Sequence, residues 1–378
     1  MNRDFTKVPE YSKRQMFLDP AGQVTTQRFD DYAYPKIAKF DETQRGAFWV
    51  PEEITLTKDK IDFKEASKAV RHIFTSNLLR QTTLDSIQGR APAQIFTPVI
   101  SIPELENMVT TWTWFEQIHS RAYSHIIRNI YNVPKDEFNK IHDNSEIMSM
   151  VSSIGDYYED LHELNCRKET LKQLKTQKIQ LSTDIERALQ VTEHEHIKAI
   201  WLAMVASYGL EAIRFTVSFA TSLAMVENKI FIGNGNEIAL ILSDEMLHVD
   251  WTSYILNTLV KDDPRFAQVA QETKKECLDM LLSVIDEEKS WAKYLFKEGS
   301  VIGMNERVMV GLVDWTAQGR LKEIGLKYDA GVKSTPAPWF NKHMNTNKKQ
   351  TALQENESVA YVIGSMTNEI NYDELPEF

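Results

Sequence analysis

The sequence predicts an all-α fold: a helical bundle with extra helices flanking it and a cluster of acidic and imidazole side chains buried inside. Three observations carry this. Strand alternation is weak throughout and no β-α-β rhythm appears. Long segments instead begin and end on helix punctuation. Finally, Glu116/His119 and Glu245/His248 form two Glu-x-x-His pairs on separate helical stretches, and Glu211 sits in the middle of a nearly all-apolar third.

Residues 1–60 read as an irregular N-terminal segment that packs on the bundle, punctuated by Phe48-Trp49-Val50-Pro51-Glu52-Glu53. A helical pattern runs from Phe63 to Ile87 and breaks at Gly89, with Pro92 and Pro98 beyond. Ser101-Ile102-Pro103-Glu104 offers a capped start, Ser before Pro and an acidic first turn, for a helix reaching Tyr131. Further helices are expected over 144–165 and 167–195, the second polar and solvated. A buried helix follows from Ile200 to Val226, then a turn at Gly233-Asn234-Gly235-Asn236 and a helix from Glu237 to Val260. Asp262-Asp263-Pro264 opens another to Gly299, and the last runs from Asn305 to Gly325. After Pro338 the composition turns to Lys, Asn, Gln and Glu. The expected division is therefore the segment 1–60, a bundle over 61–335, and a flexible acidic tail over 336–378.

With 43 basic against 54 acidic side chains, the net charge of -11 argues against nucleic-acid phosphates or an anionic membrane surface as partners. Cys166 and Cys277 are the only cysteines, too few for a disulfide framework or a thiolate metal site, and they suit a reduced, cytoplasmic protein. The N-terminus carries no signal-peptide pattern. Ile200–Val226 is long enough to span a bilayer, but Glu211 and Arg214 lie near its centre. A helix buried by other helices accounts for both facts.

Residues three apart on a helix lie about 60° apart around the axis and roughly 4.5 Å along it, so each Glu-x-x-His pair can aim at one point. Glu116, Glu211 and Glu245 directed into a core, with Asp85 of Leu84-Asp85-Ser86-Ile87-Gln88-Gly89 as a fourth carboxylate, would be very costly to bury unpaired. Two divalent ions neutralise four carboxylates, and oxygen with imidazole donors suits iron or manganese. The pattern is that of ferritin-like di-metal bundles. Tyr123 continues the Glu116–His119 stripe at i+7, and Phe215, Phe219 and Ile241 are expected to form an apolar pocket beside it. Such a phenol can lose an electron and stay away from water. Glu193-His194-Glu195-His196 reads as a solvated patch at the end of a polar helix, and His72, His125, His142, His162 and His343 as structural or exposed.

Taken together, these residues resemble the small, radical-generating subunit of class I ribonucleotide reductase. The motifs that carry the likeness are Phe48–Glu53, Leu84–Arg90, Glu116-Gln117-Ile118-His119-Ser120-Arg121-Ala122-Tyr123, Glu211–Phe215 and Asp244-Glu245-Met246-Leu247-His248. The resemblance implies two iron ions (manganese being an alternative) held by Asp85, Glu116, His119, Glu211, Glu245 and His248. It implies that O2 and a reductant assemble the centre and that a stable tyrosyl radical forms on Tyr123. It also implies a homodimer, and a large subunit that holds the nucleotide and docks on the C-terminal tail. Trp49, Asp244 and His119 would form the near end of a proton-coupled electron route, with Tyr361 and Glu355 in the tail. A di-metal oxidase or hydroxylase and a ferritin-like ferroxidase share the cage and stand as alternatives; neither needs Trp49, a radical on Tyr123 or the tail.

Overall fold

A computed structural model describes residues 13–23 and 26–344. The first helix, α1 (Pro35–Gly46), lies inside the stretch read as irregular, and a short 3-10 turn at Pro51–Glu53 leads to α2 (Thr57–Glu65). Pro35 fixes the start of α1, while few apolar residues mark its face, so little periodicity is there to read. Next come α3 (Lys68–Gln88), α4 (Ala91–Phe96), α5 (Pro103–Ile130) and α6 (Pro134–Asp143). α3 is capped by Ser67, which accepts from the Val70 amide at 3.3 Å. At α5 the cap position is Ile102, and Ser101 is diverted to accept from the Asp19 amide at 2.9 Å. Pro103 and the acidic residues Glu104 and Glu106 are left to begin the helix.

α7 (Ser145–Thr176) continues past the boundary expected near residue 165, and α8 (Thr183–Leu189) is a separate short helix. The buried stretch is α9 (Glu193–Gly209), a π-helical segment over Leu210–Arg214, and α10 (Thr216–Glu227). Of the described helices, this stretch alone is long and apolar enough to cross a membrane, and its apolar window is wholly buried in protein. α11 (Ile232–Asp262) begins before the expected turn, which it absorbs. The glycines there serve packing. A Cβ at Gly233 would stand 2.4 Å from the Thr55 carbonyl oxygen, and one at Gly235 1.9 Å from Val226 Cγ2. Asp59 of α2 caps the helix from outside, accepting from the amides of Gly233 at 3.0 Å and Asn234 at 2.7 Å. α12 (Pro264–Glu272) and α13 (Lys274–Leu295) divide a segment expected to be one helix, and α14 (Glu306–Glu323) follows.

α3 packs on α5, α5 on α11, α11 on α10 and α10 on α3, which closes a four-helix bundle. α9 is covered by α7 and α12, and α13 and α14 close over the π segment. The folded body reaches beyond residue 335: Ala337 and Phe340 are buried, and Lys342 pairs with Glu227 at 2.5 Å.

Candidate metal centre

Three bundle helices and the π segment leading into the fourth bring six side chains together. Asp85 comes from the last turn of α3, Glu116 and His119 from α5, Glu211 from the π segment, and Glu245 and His248 from α11; all six are buried. They form two overlapping groups, Asp85/Glu116/His119/Glu245 and Glu116/Glu211/Glu245/His248, with the donor atoms of each within 4.8 Å of one another. His119 Nδ1 lies 3.1 Å from Glu245 Oε1 and 3.6 Å from Glu116 Oε2. His248 Nδ1 lies 3.0 Å from Glu116 Oε1 and 3.3 Å from Glu245 Oε2. Glu116 and Glu245 thus each turn one oxygen to either half. Asp85 serves only the His119 half and Glu211 only the His248 half.

Both imidazoles turn Nδ1 inward and are held from behind at Nε2. The Nε2–H of His119 donates to Asp244 Oδ2 at 3.1 Å, and the same oxygen accepts from Trp49 Nε1 at 2.9 Å. His248 Nε2 meets Gln44 Nε2, and turning that amide over brings its unpartnered Oε1 to accept the ring proton. A fixed partner on one ring nitrogen leaves the other as a lone pair, which a metal ligand requires. Trp112 Nε1 reaches Glu116 Oε1 at 3.0 Å and Glu211 Oε1 at 3.2 Å.

Both oxygens of Asp85, Glu116 Oε2, Glu211 Oε2, Glu245 Oε1 and His119 Nδ1 are buried with no hydrogen-bond partner. Six such atoms around one small volume would be prohibitively expensive as plain core. Cations at the centre resolve all of them, and oxygen-rich donors with imidazole and no thiolate suit iron or manganese.

The same family appears in the comparisons with known proteins. The family model for the ribonucleotide reductase small chain matches residues 28–329. The chain belongs to the ribonucleotide reductase small-chain family. The ribonucleoside-diphosphate reductase 1 subunit beta of Escherichia coli O157:H7 is 38% identical over 375 residues, covering 99% of this chain and 97% of that protein. The ribonucleoside-diphosphate reductase subunit beta of Haemophilus influenzae is 39% identical over 369 residues, 97% and 96% of the two chains. The solved ribonucleotide reductase R2 subunit from Clostridium botulinum superposes with a TM-score of 0.72 at 19% identity, covering 90% of this chain and 98% of its own, and supports the ferritin-like fold.

Without cations, the crowded acidic groups of this small chain's cage would be balanced by protons. Burial, and then the charges of Glu116 and Glu245, push Asp85 well above the usual carboxylate range; burial and the same crowding raise Glu211. Burial disfavours charge on His119 and His248, yet their carboxylate partners prevail and hold both rings well above an ordinary imidazole. Burial likewise opposes ionisation of Glu245, but its contacts with Glu211 and the two histidines keep it low. It is the counter-ion of the cage.

Tyr123 is fully buried and its hydroxyl has no hydrogen-bond partner. Burial first, and the Asp85 charge second, raise its phenol well above the usual value. Phe215 and Phe219 stack at 5.3 Å and line a narrow cleft with Glu211 and Glu245, while Ile241 is fully buried in the same core. Tyr361 and Glu355 lie outside the described residues.

Sequence reasoning passed over three contributors to the small chain's cage. Trp112 stands four residues before Glu116 and Gln88 three after Asp85, so helical register could have exposed both. Gln44 gave no such signal, because its helix lay in the segment read as irregular.

The Glu193–His196 cluster stands at the start of α9 rather than at a helix end. Glu195 completes a capping box with Thr192, and His194 pairs with Glu272 at 2.7 Å on the surface. His196 alone is buried, its Nε2–H donating to Asn165 Oδ1 at 2.7 Å and its Nδ1 facing Lys168 Nζ at 3.2 Å. Burial, and then the Lys168 charge, lower it to about 4. The unfolded chain, with an ordinary imidazole near 6.5, therefore binds more protons in that window, and stability falls as pH drops from about 6.5 toward 4. Urea denaturation should show roughly 2 kcal/mol less stability from this group at pH 5 than at pH 7. That part of the slope should be missing in His196→Gln; an unchanged slope would remove His196 as its source.

Proposed function

We propose that the chain is the radical-generating subunit of class I ribonucleotide reductase, working on ribonucleoside diphosphates with a separate large subunit. The reading rests above all on one observation: the cage is tied through His119 and Asp244 to Trp49, and an unpartnered, fully buried Tyr123 continues the Glu116–His119 stripe. Asp85, Glu116, His119, Glu211, Glu245 and His248 would hold two iron ions, with manganese the other metal such donors accept. Oxidised by O2, such a centre supplies an oxidant able to take an electron from a phenol.

Tyr123 gives up that electron. Its proton has Asp85 as the nearest acceptor in electrostatic terms, and the packed core keeps water from quenching the radical left behind. His119, Asp244 and Trp49 form a continuous hydrogen-bonded path along which an electron and a proton can move together. Glu355 and Tyr361 would continue it toward the large subunit. The acidic tail ending in Leu375, Pro376 and Phe378 would dock there, its apolar side chains entering a groove while its charges stay in water. Phe215, Phe219 and Ile241 would keep the radical surroundings apolar. The working form is a homodimer in the cytoplasm, with an external reductant and no nucleic-acid or membrane partner.

The test is an electron paramagnetic resonance spectrum after iron(II) and O2 are added to metal-free protein, with Tyr123→Phe alongside. A tyrosyl signal in the wild type and none in the variant is expected. Iron uptake without a radical in the wild type would favour a di-metal oxidase.

A further inference from the structure

A second buried tyrosine is wired into the cage. Tyr158 of α7 is buried, and its hydroxyl lies 2.7 Å from Gln88 Oε1 and 2.8 Å from Ser207 Oγ. Gln88, the last residue of α3, in turn reaches Glu211 Oε1 through Nε2 at 2.6 Å. The hydrogen-bond directions follow from the chemistry of each group. To bind a metal Glu211 must be ionised, and a carboxylate then only accepts, so Gln88 presents its NH2 to Glu211 and its carbonyl oxygen to Tyr158. Tyr158 must therefore donate. Ser207 has a single proton, which serves either the Ala203 carbonyl at 2.9 Å or the phenol oxygen, and neither choice disturbs that order.

Glu211 Oε1 thereby receives two donors, Gln88 Nε2 and, at 3.2 Å, Trp112 Nε1. Its other oxygen, Oε2, has no hydrogen-bond partner and stands 3.6 Å from His248 Nδ1. Glu211 is also the one acidic member of the cage carried by a π-helical turn, where the backbone ladder is least regular. Its carboxylate needs an external restraint more than the others do. Tyr123 and Tyr158 thus play opposite parts: the first is left unbonded, and the second locks an amide.

We propose that Tyr158, acting through Gln88, is a positioning residue that dedicates Glu211 Oε1 to hydrogen bonding and leaves Oε2 alone to bind metal, so that Glu211 is a one-oxygen ligand of the His248-side ion. Without the phenol, the Gln88 amide is free to rotate away, and Glu211 can swing both oxygens onto the metal or withdraw from it. The inference deepens the metal-cage reading and rests on it.

Cobalt(II) is a suitable probe, because its visible absorption weakens as its coordination number rises. Metal-free full-length chain is titrated with cobalt(II) as wild type, Tyr158→Phe, Gln88→Leu, the double variant and Ser207→Ala. Thermal melts run alongside confirm that each is folded. The wild type is expected to take up two ions per chain. Tyr158→Phe should bind the His119-side ion unchanged and the His248-side ion about tenfold more weakly, with an altered band, as loss of an outer-shell partner does. Gln88→Leu should behave the same way, and the double variant should add nothing, because the two residues act in series. Ser207→Ala leaves the Tyr158–Gln88 bond intact and should match the wild type. If the wild type takes up no cobalt, the cage reading itself fails. If the wild type binds two ions and Tyr158→Phe matches it in affinity and spectrum, the positioning role is overturned while the cage stands.

Discussion

Glu245→Ala is expected to lose both metal ions, whereas Asp85→Ala should lose one and keep the other. The difference follows from which oxygens face which imidazole. Glu245 turns Oε1 to His119 and Oε2 to His248 at 3.1 and 3.3 Å, so one substitution removes a ligand from each half. Asp85 belongs only to the His119 group, and the set Glu116, Glu211, Glu245 and His248 survives its loss. Iron(II) or manganese(II) uptake, measured by elemental analysis after desalting, should read two ions for the wild type, none for Glu245→Ala and one for Asp85→Ala. Two tightly held ions in Glu245→Ala would overturn the reading that it serves both halves.

The same two positions should separate in the metal-free protein. Asp85 is held protonated in the core, and Asn is a close mimic of a protonated Asp, so Asp85→Asn should not destabilise the apo protein at neutral pH and should remove the Asp85 share of its pH dependence. Glu245 is the ionised partner of two imidazoles, and Glu245→Gln strands them, a loss of several kcal/mol by analogy with breaking any buried pair. Folded Asp85 and Glu211 keep protons that the unfolded chain releases once pH passes the ordinary carboxylate range. The metal-free protein should therefore lose stability as pH rises above that range. Metal reverses the sign, because binding favours the deprotonated carboxylates. At a hundred times its dissociation constant, one bound ion stabilises the fold by about 2.7 kcal/mol.

Much of this centre was legible in the sequence because helical register carries information at three- and four-residue spacing. Glu116 with His119 and Glu245 with His248 aim at one point by geometry alone, and an isolated Glu211 in an apolar helix needs a partner. What could not be read is whatever depends on contacts distant in sequence. Gly233 and Gly235 suggest a turn by local rules; only the approach of Thr55 and Val226 explains why glycine stands inside a helix there. The π segment around Glu211 looks like ordinary helix in the sequence, and the groups that stabilise it come from α3, α7 and α13. Asp59 capping α11 from α2, and Gln44 holding His248 from α1, are the same kind of fact.

Breaking the clamp on the first turn of α10, just after that π segment, should be the most destabilising single change outside the cage. α10 begins straight after the π segment, and its cap residue, Phe215, has no side-chain oxygen to offer the free backbone N–H groups. Glu288 of α13 supplies one, with Oε1 accepting from the Val217 amide at 2.7 Å. Its other oxygen pairs with Arg80 of α3, whose guanidinium also reaches Ser218 Oγ at 3.3 Å and lies over the Trp291 ring at 4.9 Å. Both charges are fully buried. Glu288→Ala leaves an unpaired guanidinium and an orphan amide together, so a loss of roughly 3–5 kcal/mol is expected in urea or thermal unfolding. Glu288→Gln keeps an acceptor for Val217 but loses the charge pair, and should cost less. With Arg80→Met already in place Glu288 is itself an unpaired buried charge, so Glu288→Ala should cost less than in the wild type, and the double-mutant cycle isolates the pair. Because the π segment that carries Glu211 leads directly into the clamped start of α10, Glu288→Gln should also weaken the His248-side ion and spare the His119-side one. Equal losses of stability from Glu288→Ala in both backgrounds would show that the ion pair does not hold the turn, and would leave the Val217 bond as the whole effect.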